Sequence, residues 1–222
     1  MTLTVCHLCT RDGRTPDADA ISRVIEGLAR AGLPRCECER LRNIRNDAAR
    51  AQSVGARSAL LWTLVEQADG MHWFDELPSD QELSEQVRAA MATFERSETG
   101  YPCLTEQPCT LSLAHSNALA VCAMDAHAVV GVDVEPLTRQ IKRHADIIAR
   151  YFSEKEQENI QNSCDPQGEF LRVWMRKEAL GKARGTGLSA EAHLLDTESV
   201  RPDCFVERQI EEQQITVCLL QK

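Results

Sequence analysis

Lysine is scarce in this sequence and absent from its first 140 residues. The net charge at neutral pH is -9, and no basic tail is present. Because nucleic-acid binding needs clustered lysine and arginine to neutralise phosphates, nucleic acid is not expected as the main partner. Arginine is concentrated in one N-terminal stretch, which contains Arg35, Arg40, Arg42, Arg45, Arg50 and Arg57.

The chain also lacks long apolar runs. No segment approaches the roughly 18 consecutive apolar residues of a membrane-spanning helix, and the N-terminus does not have the pattern of a signal peptide. These features predict a cytoplasmic protein, in which the ten cysteines stay reduced. Cys6 and Cys9 are spaced like zinc ligands, but no second ligand pair follows at the spacing that a zinc site needs.

Hydrophobic periodicity predicts a mixture of helices and short strands. Helices are predicted at Asp19–Ala31, Glu39–Ala68, Gln81–Arg96, Ile141–Tyr151, after Phe152, and at Glu169–Ala183. The first has an apolar face formed by Ile21, Val24, Ile25 and Leu28. The helix after Phe152 begins with a capping-box pattern, Ser153 and Glu156. Strands are predicted at residues 2–9, Thr110–Leu113, Ala118–Met124, Ala128–Glu135, 204–210 and 214–220. The segments between them, including residues 70–80, are expected to be irregular. Because no strand–helix–strand rhythm is present, the predicted fold class is α+β with antiparallel strands.

Two short segments contain residue types suited to catalysis. In the segment Gly131–Pro136, Asp133 and Glu135 share one face of an extended strand, because alternate residues point the same way. In the segment Trp174–Lys182, Glu178 and Lys182 lie one helical turn apart. Three converging carboxylates would suit Mg²⁺, which usually bridges protein carboxylates and substrate phosphates. Taken alone, the strand motif would usually be a solvated strand end, and the helix motif would usually be an ordinary ion pair. The joint occurrence, order and spacing of the two motifs favour a functional site.

The pair of motifs resembles the signature of the 4'-phosphopantetheinyl transferases, a Gly-x-Asp-x-Glu strand followed by Trp-x-x-Lys-Glu-Ala-x-x-Lys. The resemblance is to the large, surfactin-type members. It implies a monomer of two similar halves related by a pseudo-twofold axis, each a small antiparallel sheet packed with a long helix. Coenzyme A would lie in the cleft between the halves. A boundary near residue 110 fits this arrangement, with residues 1–109 on the nucleotide side and residues 110–222 carrying the Mg²⁺ site and catalytic helix.

The resemblance also implies a reaction. A serine hydroxyl of an acyl or peptidyl carrier protein attacks the β-phosphate of coenzyme A, and 3',5'-ADP leaves. Asp133, Glu135 and Glu178 match the residues that hold Mg²⁺ (or Mn²⁺), and Glu178 also matches the favoured general base. Lys182 matches the lysine that neutralises charge on the leaving phosphate, and Lys177 matches a less strictly catalytic lysine at the substrate cleft.

Further matches extend the resemblance to coenzyme A binding. His115 and Ser116 correspond to the end of a Ser-His-Ser strand, in which the histidine contacts the 3'-phosphate. Arg50 lies in a segment where a basic residue meets the nucleotide phosphates, with Arg42 and Arg45 as weaker candidates. Two departures concern this binding: Tyr101 stands where the family often has a lysine, and Ala114 replaces the first serine.

Two other interpretations remain open at this point. A degenerate, non-catalytic module that binds coenzyme A or a carrier would not need all four charged residues of the two motifs. A metal-dependent nuclease is opposed by the acidic balance and by the few aromatic residues available for base stacking. The sequence does not name the carrier, and the segment from Ile141 to Ile160, with Lys142, Arg143 and Ile147, is one candidate docking patch.

Overall fold

The computed structural model describes residues 1–139, 144–188, 194 and 196–221. They form two units, Met1–Ala128 and Val129–Lys222. None of the described helices is long and apolar enough to cross a membrane.

The first unit packs helices on a four-stranded sheet whose strand order is β2-β1-β6-β5. Its strands are β1 (Thr2–His7), β2 (Gly70–Trp73), β3 (Phe94–Arg96), β4 (Pro102–Leu104), β5 (Thr110–His115) and β6 (Leu119–Asp125). Its helices are α1 (Ala18–Arg30), α2 (Arg35–Arg42), α3 (Asp47–Glu66) and α4 (Glu85–Ala92). Strands β3 and β4 form a separate antiparallel pair.

The helices of this unit follow local sequence rules. The Asp17 side chain caps α1 by accepting a hydrogen bond from Ala20 N at 2.7 Å, and the predicted apolar face of α1 is buried. Helix α3 runs unbroken through Gly55, where an added Cβ would lie 2.4 Å from Leu8 Cδ2 and 3.3 Å from the Ala120 Cβ. The glycine therefore marks a close approach of α3 to the sheet.

Three predictions in this unit were wrong in detail. The predicted helix Glu39–Ala68 is divided into α2 and α3, because Asn46 accepts a hydrogen bond from Ala49 N and starts a new helix there. The expected loop at residues 70–80 contains β2, which pairs in parallel with β1, so the sheet is mixed and not purely antiparallel. The helix predicted at Gln81–Arg96 ends at Ala92, and β3 follows it.

The second unit has a three-stranded sheet of order β7-β9-β8. Its strands are β7 (Ala128–Pro136), β8 (Phe205–Ile210) and β9 (Gln213–Gln221), of which the last two form the predicted antiparallel hairpin. Its described helices are α5 (His144–Tyr151), α6 (Glu154–Asn162) and α7 (Pro166–Arg184). The start predicted for α5, residues 141–143, lies outside the described residues. Ser153 and Glu156 form the predicted capping box of α6.

The boundary between the units differs from the predicted one. Strand β6 pairs with β1 from Leu119 to Met124, and β5 pairs with β6. Residues 110–125 therefore complete the sheet of the first unit, and the division falls between Ala128 and Val129 and not near residue 110. The mixed α+β class is confirmed, whereas the pseudo-twofold relation between the halves stays a prediction.

Candidate functional site

Strand β7 and helix α7 touch through Gly131. A Cβ atom added at this glycine would lie 2.0 Å from the Ala179 carbonyl oxygen and 2.5 Å from the Ala183 nitrogen, both in the backbone of α7. No side chain fits in that space, so the glycine allows the helix backbone to pack directly on the strand. Asp133 follows Gly131 by two residues and shares its strand face. This contact therefore brings the two sequence motifs together.

The clearest link between the motifs is the pair formed by Asp133 and Lys182. Lys182 Nζ donates to Asp133 Oδ1 and to the Val132 carbonyl oxygen, each at 2.9 Å. The other carboxylate oxygen, Asp133 Oδ2, is buried and has no hydrogen-bond partner among the described residues. A buried charged oxygen without a partner is costly, so this atom is poised for a further cation or donor.

Glu178 lies near the same pair. Burial raises its pKa, and the negative charge of Asp133 raises it further, while Lys182 and Arg139 oppose the shift. The two carboxylates are thus close enough to interact electrostatically in a poorly hydrated site. A carboxylate whose pKa is raised toward neutrality is a better proton acceptor for catalysis at physiological pH.

Glu135 is held differently from the other two predicted metal ligands. Its carboxylate forms an ion pair with Arg139, which the sequence interpretation did not single out. Among the described residues, no group of three or more histidine, cysteine, aspartate or glutamate side chains is arranged to hold a metal ion. The structure therefore brings Asp133 and Glu178 together, while the three-carboxylate set stays a prediction.

The donors that are brought together nevertheless fit Mg²⁺. Mg²⁺ prefers carboxylate oxygens and is usually bound by one or two of them together with substrate phosphates. Asp133 and Glu178 are two such groups, and the partnerless Asp133 Oδ2 is an oxygen of the required kind.

Lys177 lies in a different environment from Lys182. Its Nζ pairs with Glu156 Oε2 at 2.8 Å, and the exposed fractions of the two side chains are 1% and 0%. Burial lowers the Lys177 pKa, and Glu156 offsets part of that effect. An ammonium enclosed in this way does not fit the predicted position in an open substrate cleft. Lys177 thus makes a contact between α6 and α7, and its predicted role in coenzyme A binding stays a prediction.

Three residues of the first unit are predicted to bind coenzyme A, and each has a different environment. Arg50 forms an ion pair with Asp47, and its Nε is buried without a hydrogen-bond partner in the part of the chain that the structure describes. His115 is exposed at the end of β5. The buried Ser116 hydroxyl accepts hydrogen bonds from Ala118 N and Leu119 N, at 3.4 and 3.3 Å, and so shapes the turn between β5 and β6.

Four further residues of the first unit were predicted to affect nucleotide binding. Arg42 and Arg45 are exposed, as expected for a solvated helix face and loop, whereas Tyr101 is half-buried and Ala114 is buried. Nothing in these positions tests a nucleotide contact, so their roles stay predictions.

The candidate docking patch on α5 and α6 is described only in part. Lys142 and Arg143 lie outside the described residues. Ile147 packs against the apolar cluster that contains Phe152, Phe170 and Val173. Because this side chain helps to cover a core, it is a weak candidate for a docking contact.

Comparison with known proteins supports the resemblance over the second unit. Residues 129–218 match the family described as the 4'-phosphopantetheinyl transferase superfamily. The match supports the predicted resemblance to this superfamily for that segment. It begins at the first residue of the second unit and includes all the residues of both motifs.

Individual relatives point the same way. The chain is 31% identical over 109 residues to the 4'-phosphopantetheinyl transferase HetI of Nostoc, covering 46% of each protein. It is 28% identical over 120 residues to the L-aminoadipate-semialdehyde dehydrogenase-phosphopantetheinyl transferase of Eremothecium gossypii, covering 51% of this chain and 44% of the relative. It is 30% identical over 141 residues to the fatty acid synthase subunit alpha of Candida parapsilosis, covering 63% of this chain and 8% of the relative. The alignments thus span less than half of each relative.

Two functional features were missed by sequence reasoning. The capping box correctly predicted the start of α6, but gave no sign that Glu156 also reaches Lys177 and Thr197. Arg139 follows Glu135 by four residues, and this short spacing was the available indication that the two side chains pair.

Proposed function

We propose that the chain is a 4'-phosphopantetheinyl transferase. It moves the 4'-phosphopantetheine arm of coenzyme A to a serine of an acyl or peptidyl carrier protein and releases 3',5'-ADP. The observation that carries the proposal is the contact of Lys182 with Asp133 beside Glu178, within the segment that matches the superfamily.

Glu178 is the proposed general base. The serine hydroxyl loses its proton to the Glu178 carboxylate while its oxygen forms a bond to the β-phosphorus of coenzyme A. The bond from that phosphorus to the bridging oxygen breaks, and the electron pair leaves with 3',5'-ADP. The raised pKa of Glu178 supports this role, because it brings the proton affinity of the carboxylate closer to neutral pH.

Lys182 is the proposed stabiliser of the leaving phosphate. Its ammonium is anchored by Asp133 and by a backbone carbonyl, so its position is set before substrate binds. A fixed positive charge that faces developing negative charge lowers the barrier without reorganisation. Mg²⁺ held by Asp133 and Glu178, with Glu135 as the proposed third ligand, would neutralise pyrophosphate charge when bound.

Coenzyme A binding is assigned to the first unit in part. Arg50, His115 and Ser116 are proposed to contact the nucleotide, and the buried, partnerless Nε of Arg50 supports a ligand for that residue. We further propose the surfactin-type architecture, a monomer and a cytoplasmic location. Since one relative is a fatty acid synthase subunit, a fatty-acid carrier domain is the first acceptor to test.

Mass spectrometry of the carrier tests the proposal directly. Apo carriers from fatty-acid, polyketide and peptide pathways are incubated with the protein, coenzyme A and Mg²⁺. A carrier should gain one phosphopantetheine group, EDTA should abolish the gain, and Mg²⁺ or Mn²⁺ should restore it. A carrier whose acceptor serine is replaced by alanine is the control. Coenzyme A binding without modification of any carrier would favour a non-catalytic binding module instead.

A further inference from the structure

The side chain of Glu156 is fully buried and joins three segments of the second unit. Its Oε2 accepts a hydrogen bond from Ser153 N at 2.8 Å and pairs with Lys177 Nζ at 2.8 Å. Its Oε1 accepts from Thr197 N at 2.8 Å and from Thr197 Oγ1 at 2.7 Å. One carboxylate therefore connects the start of α6, the middle of α7 and the chain at residue 197.

Aromatic packing encloses this ion pair. Lys177 Nζ lies 5.7 Å from the centre of the Phe152 ring, which stacks on Phe170 at 5.1 Å. Phe170 also stacks on Trp174, at 6.2 Å. A lysine enclosed in this way has one place for its ammonium, because an unpaired charge in an apolar surrounding is strongly unfavourable.

Helix geometry links this enclosed lysine to the candidate site. Successive residues of an α-helix are turned by about 100° around its axis, since one turn has 3.6 residues. Lys177 therefore faces α6 while the next residue, Glu178, faces the β7 side, and Lys182 lies within about 40° of Glu178. If Lys177 is fixed against Glu156, the rotation of α7 that presents Glu178 and Lys182 to Asp133 is fixed too.

We propose that Lys177 is a positioning residue, which acts through its buried pair with Glu156 and does not contact coenzyme A. Buried ion pairs often add little to stability compared with apolar replacements, so geometric control is the better reason for a paired charge here. The catalytic consequence of this inference rests on the proposed function. The placement of Lys182 does not, and it can be measured without any activity.

Comparison of a single and a double variant of this pair is the decisive experiment. Lys177→Met alone leaves Glu156 charged and unpaired in the interior, whereas Glu156→Gln with Lys177→Met removes both charges and keeps acceptor capacity for Thr197. With the single variant, kcat should fall about 10-fold to 100-fold, the size expected for misplaced catalytic groups, while the Kd for coenzyme A changes less than about twofold. The double variant should recover at least half of the lost kcat on a logarithmic scale.

The nitrogen signal of Lys182 supplies a readout that does not need turnover. The chain has only five lysines, so ¹⁵N-lysine labelling gives few ammonium signals, and each is assignable by substitution. The Lys182 Nζ signal should shift in Lys177→Met and return toward its original position in the double variant. Lys155→Met is the matched control, because Lys155 is exposed beside Glu156 on α6, and it should leave the Lys182 signal and kcat unchanged.

Two results would overturn the inference. An unchanged Lys182 signal in Lys177→Met would show that the pair does not position α7. A KM for coenzyme A raised about 10-fold or more in the double variant would show that the Lys177 ammonium contacts substrate, which a compensating change at Glu156 does not replace. If Lys177→Met does not fold, the double variant alone decides through that KM and the Lys182 signal. Absence of transferase activity in the unaltered protein would refute the proposed function and leave the signal test intact.

Discussion

Each unit of the protein contains one buried glutamate that joins separate segments, and the two differ in charge. Glu37 in α2 accepts from Arg40 Nε and Nη2, both at 2.8 Å, and from Arg57 Nε and Nη2 at 3.0 and 2.6 Å. Arg96 lies 3.5 Å from the same carboxylate. In the second unit, Glu156 pairs with one cation among the described residues, Lys177, and its other donors there are uncharged.

The side chains around Glu37 and those around Glu156 also differ in solvent exposure. Arg40 and Arg96 are 39% and 35% exposed, so positive charge in excess of Glu37 reaches the surface. The pair around Glu156 is balanced and enclosed. We infer that the first cluster holds together a basic surface suited to binding, whereas the second holds a helix in register for catalysis. Substitutions in the first unit should therefore change stability or substrate affinity, and those that remove or misplace Glu178 or Lys182 on α7 should change turnover.

The largest effect is expected for Glu178→Gln. The amide cannot accept the serine proton, and loss of a general base typically lowers kcat about 10²–10⁴-fold. Binding of coenzyme A should change little, because the base acts chiefly in the transition state. Steady-state kinetics with a carrier, and calorimetry with coenzyme A, measure the two quantities separately.

A matched substitution distinguishes the base from a structural role. Glu169→Gln alters another glutamate of α7, one that pairs with Arg172 at the start of the helix. It should keep turnover within about threefold of the original, since an ion pair of this kind contributes little. Near-normal turnover of Glu178→Gln at saturating Mg²⁺ would show that Glu178 is neither base nor essential ligand.

Glu37→Leu should give the largest loss of stability in the first unit. It leaves Arg57, a side chain only 5% exposed, without its carboxylate. Removal of one partner of a buried pair typically costs about 3–5 kcal/mol. Urea unfolding should show this loss, while Glu39→Leu in the same helix, whose pair with Arg35 is exposed, should change the free energy of unfolding by less than about 1 kcal/mol. If the two substitutions changed the free energy of unfolding equally, the buried carboxylate of Glu37 would be no more important for stability than the exposed one of Glu39.

The residues of the candidate site were predictable because their spacing is local. Asp133 and Glu135 follow the period of a strand, Glu178 and Lys182 follow that of a helix, and the family resemblance connected the two motifs. The placement of Lys177 was not predictable, because it depends on which side of α7 packs against α6. Its partner Glu156 lies on that other helix, and Thr197, which also binds Glu156, lies 41 residues further along the chain.

The same limit explains the errors in the fold. Helix starts marked by capping residues were found at Ser153, but the similar mark at Asn46 was overlooked within a long helical pattern. Strand β2 has four residues, and its pairing with β1 joins segments more than 60 residues apart. A short strand of this kind is specified by its distant neighbour and not by its own composition.

Arg50→Ala should raise KM for coenzyme A about 10-fold with kcat nearly unchanged. A charge-assisted contact to a phosphate remote from the reacting phosphorus stabilises ground and transition states alike. Tyr101→Lys, which restores the charge usual in the family at that position, should lower KM or leave it unchanged. Arg45→Ala is the control, because Arg45 is exposed in the same arginine-rich stretch. The preference for coenzyme A over 3'-dephospho-coenzyme A should decrease in Arg50→Ala alone, and an intact preference and KM would refute the nucleotide assignment.

The smallest effect at neutral pH is expected for Arg40→Gln, and it becomes informative in acid. Burial by itself raises the Glu37 pKa, but Arg40, then Arg57 and Arg96, outweigh it and lower the pKa to about 2. Because the folded value lies below the unfolded value of about 4.3, this carboxylate stabilises the fold fully above the unfolded pKa, and the contribution is lost as pH falls through the folded one. In Arg40→Gln the folded pKa should be higher, so the loss should still begin near the unfolded pKa but should be smaller in total and complete at a higher pH. At pH 7 the substitution should cost less than about 1 kcal/mol, because Arg40 is partly solvated and Arg57 still pairs with Glu37. Urea midpoints between pH 2 and 7 measure both the cost at pH 7 and the loss of stability in acid.

A loss at pH 7 as large as that of Glu37→Leu would contradict this prediction. It would mean that Arg40 belongs to the buried pair and that the positive charge in excess of Glu37 is not at the surface.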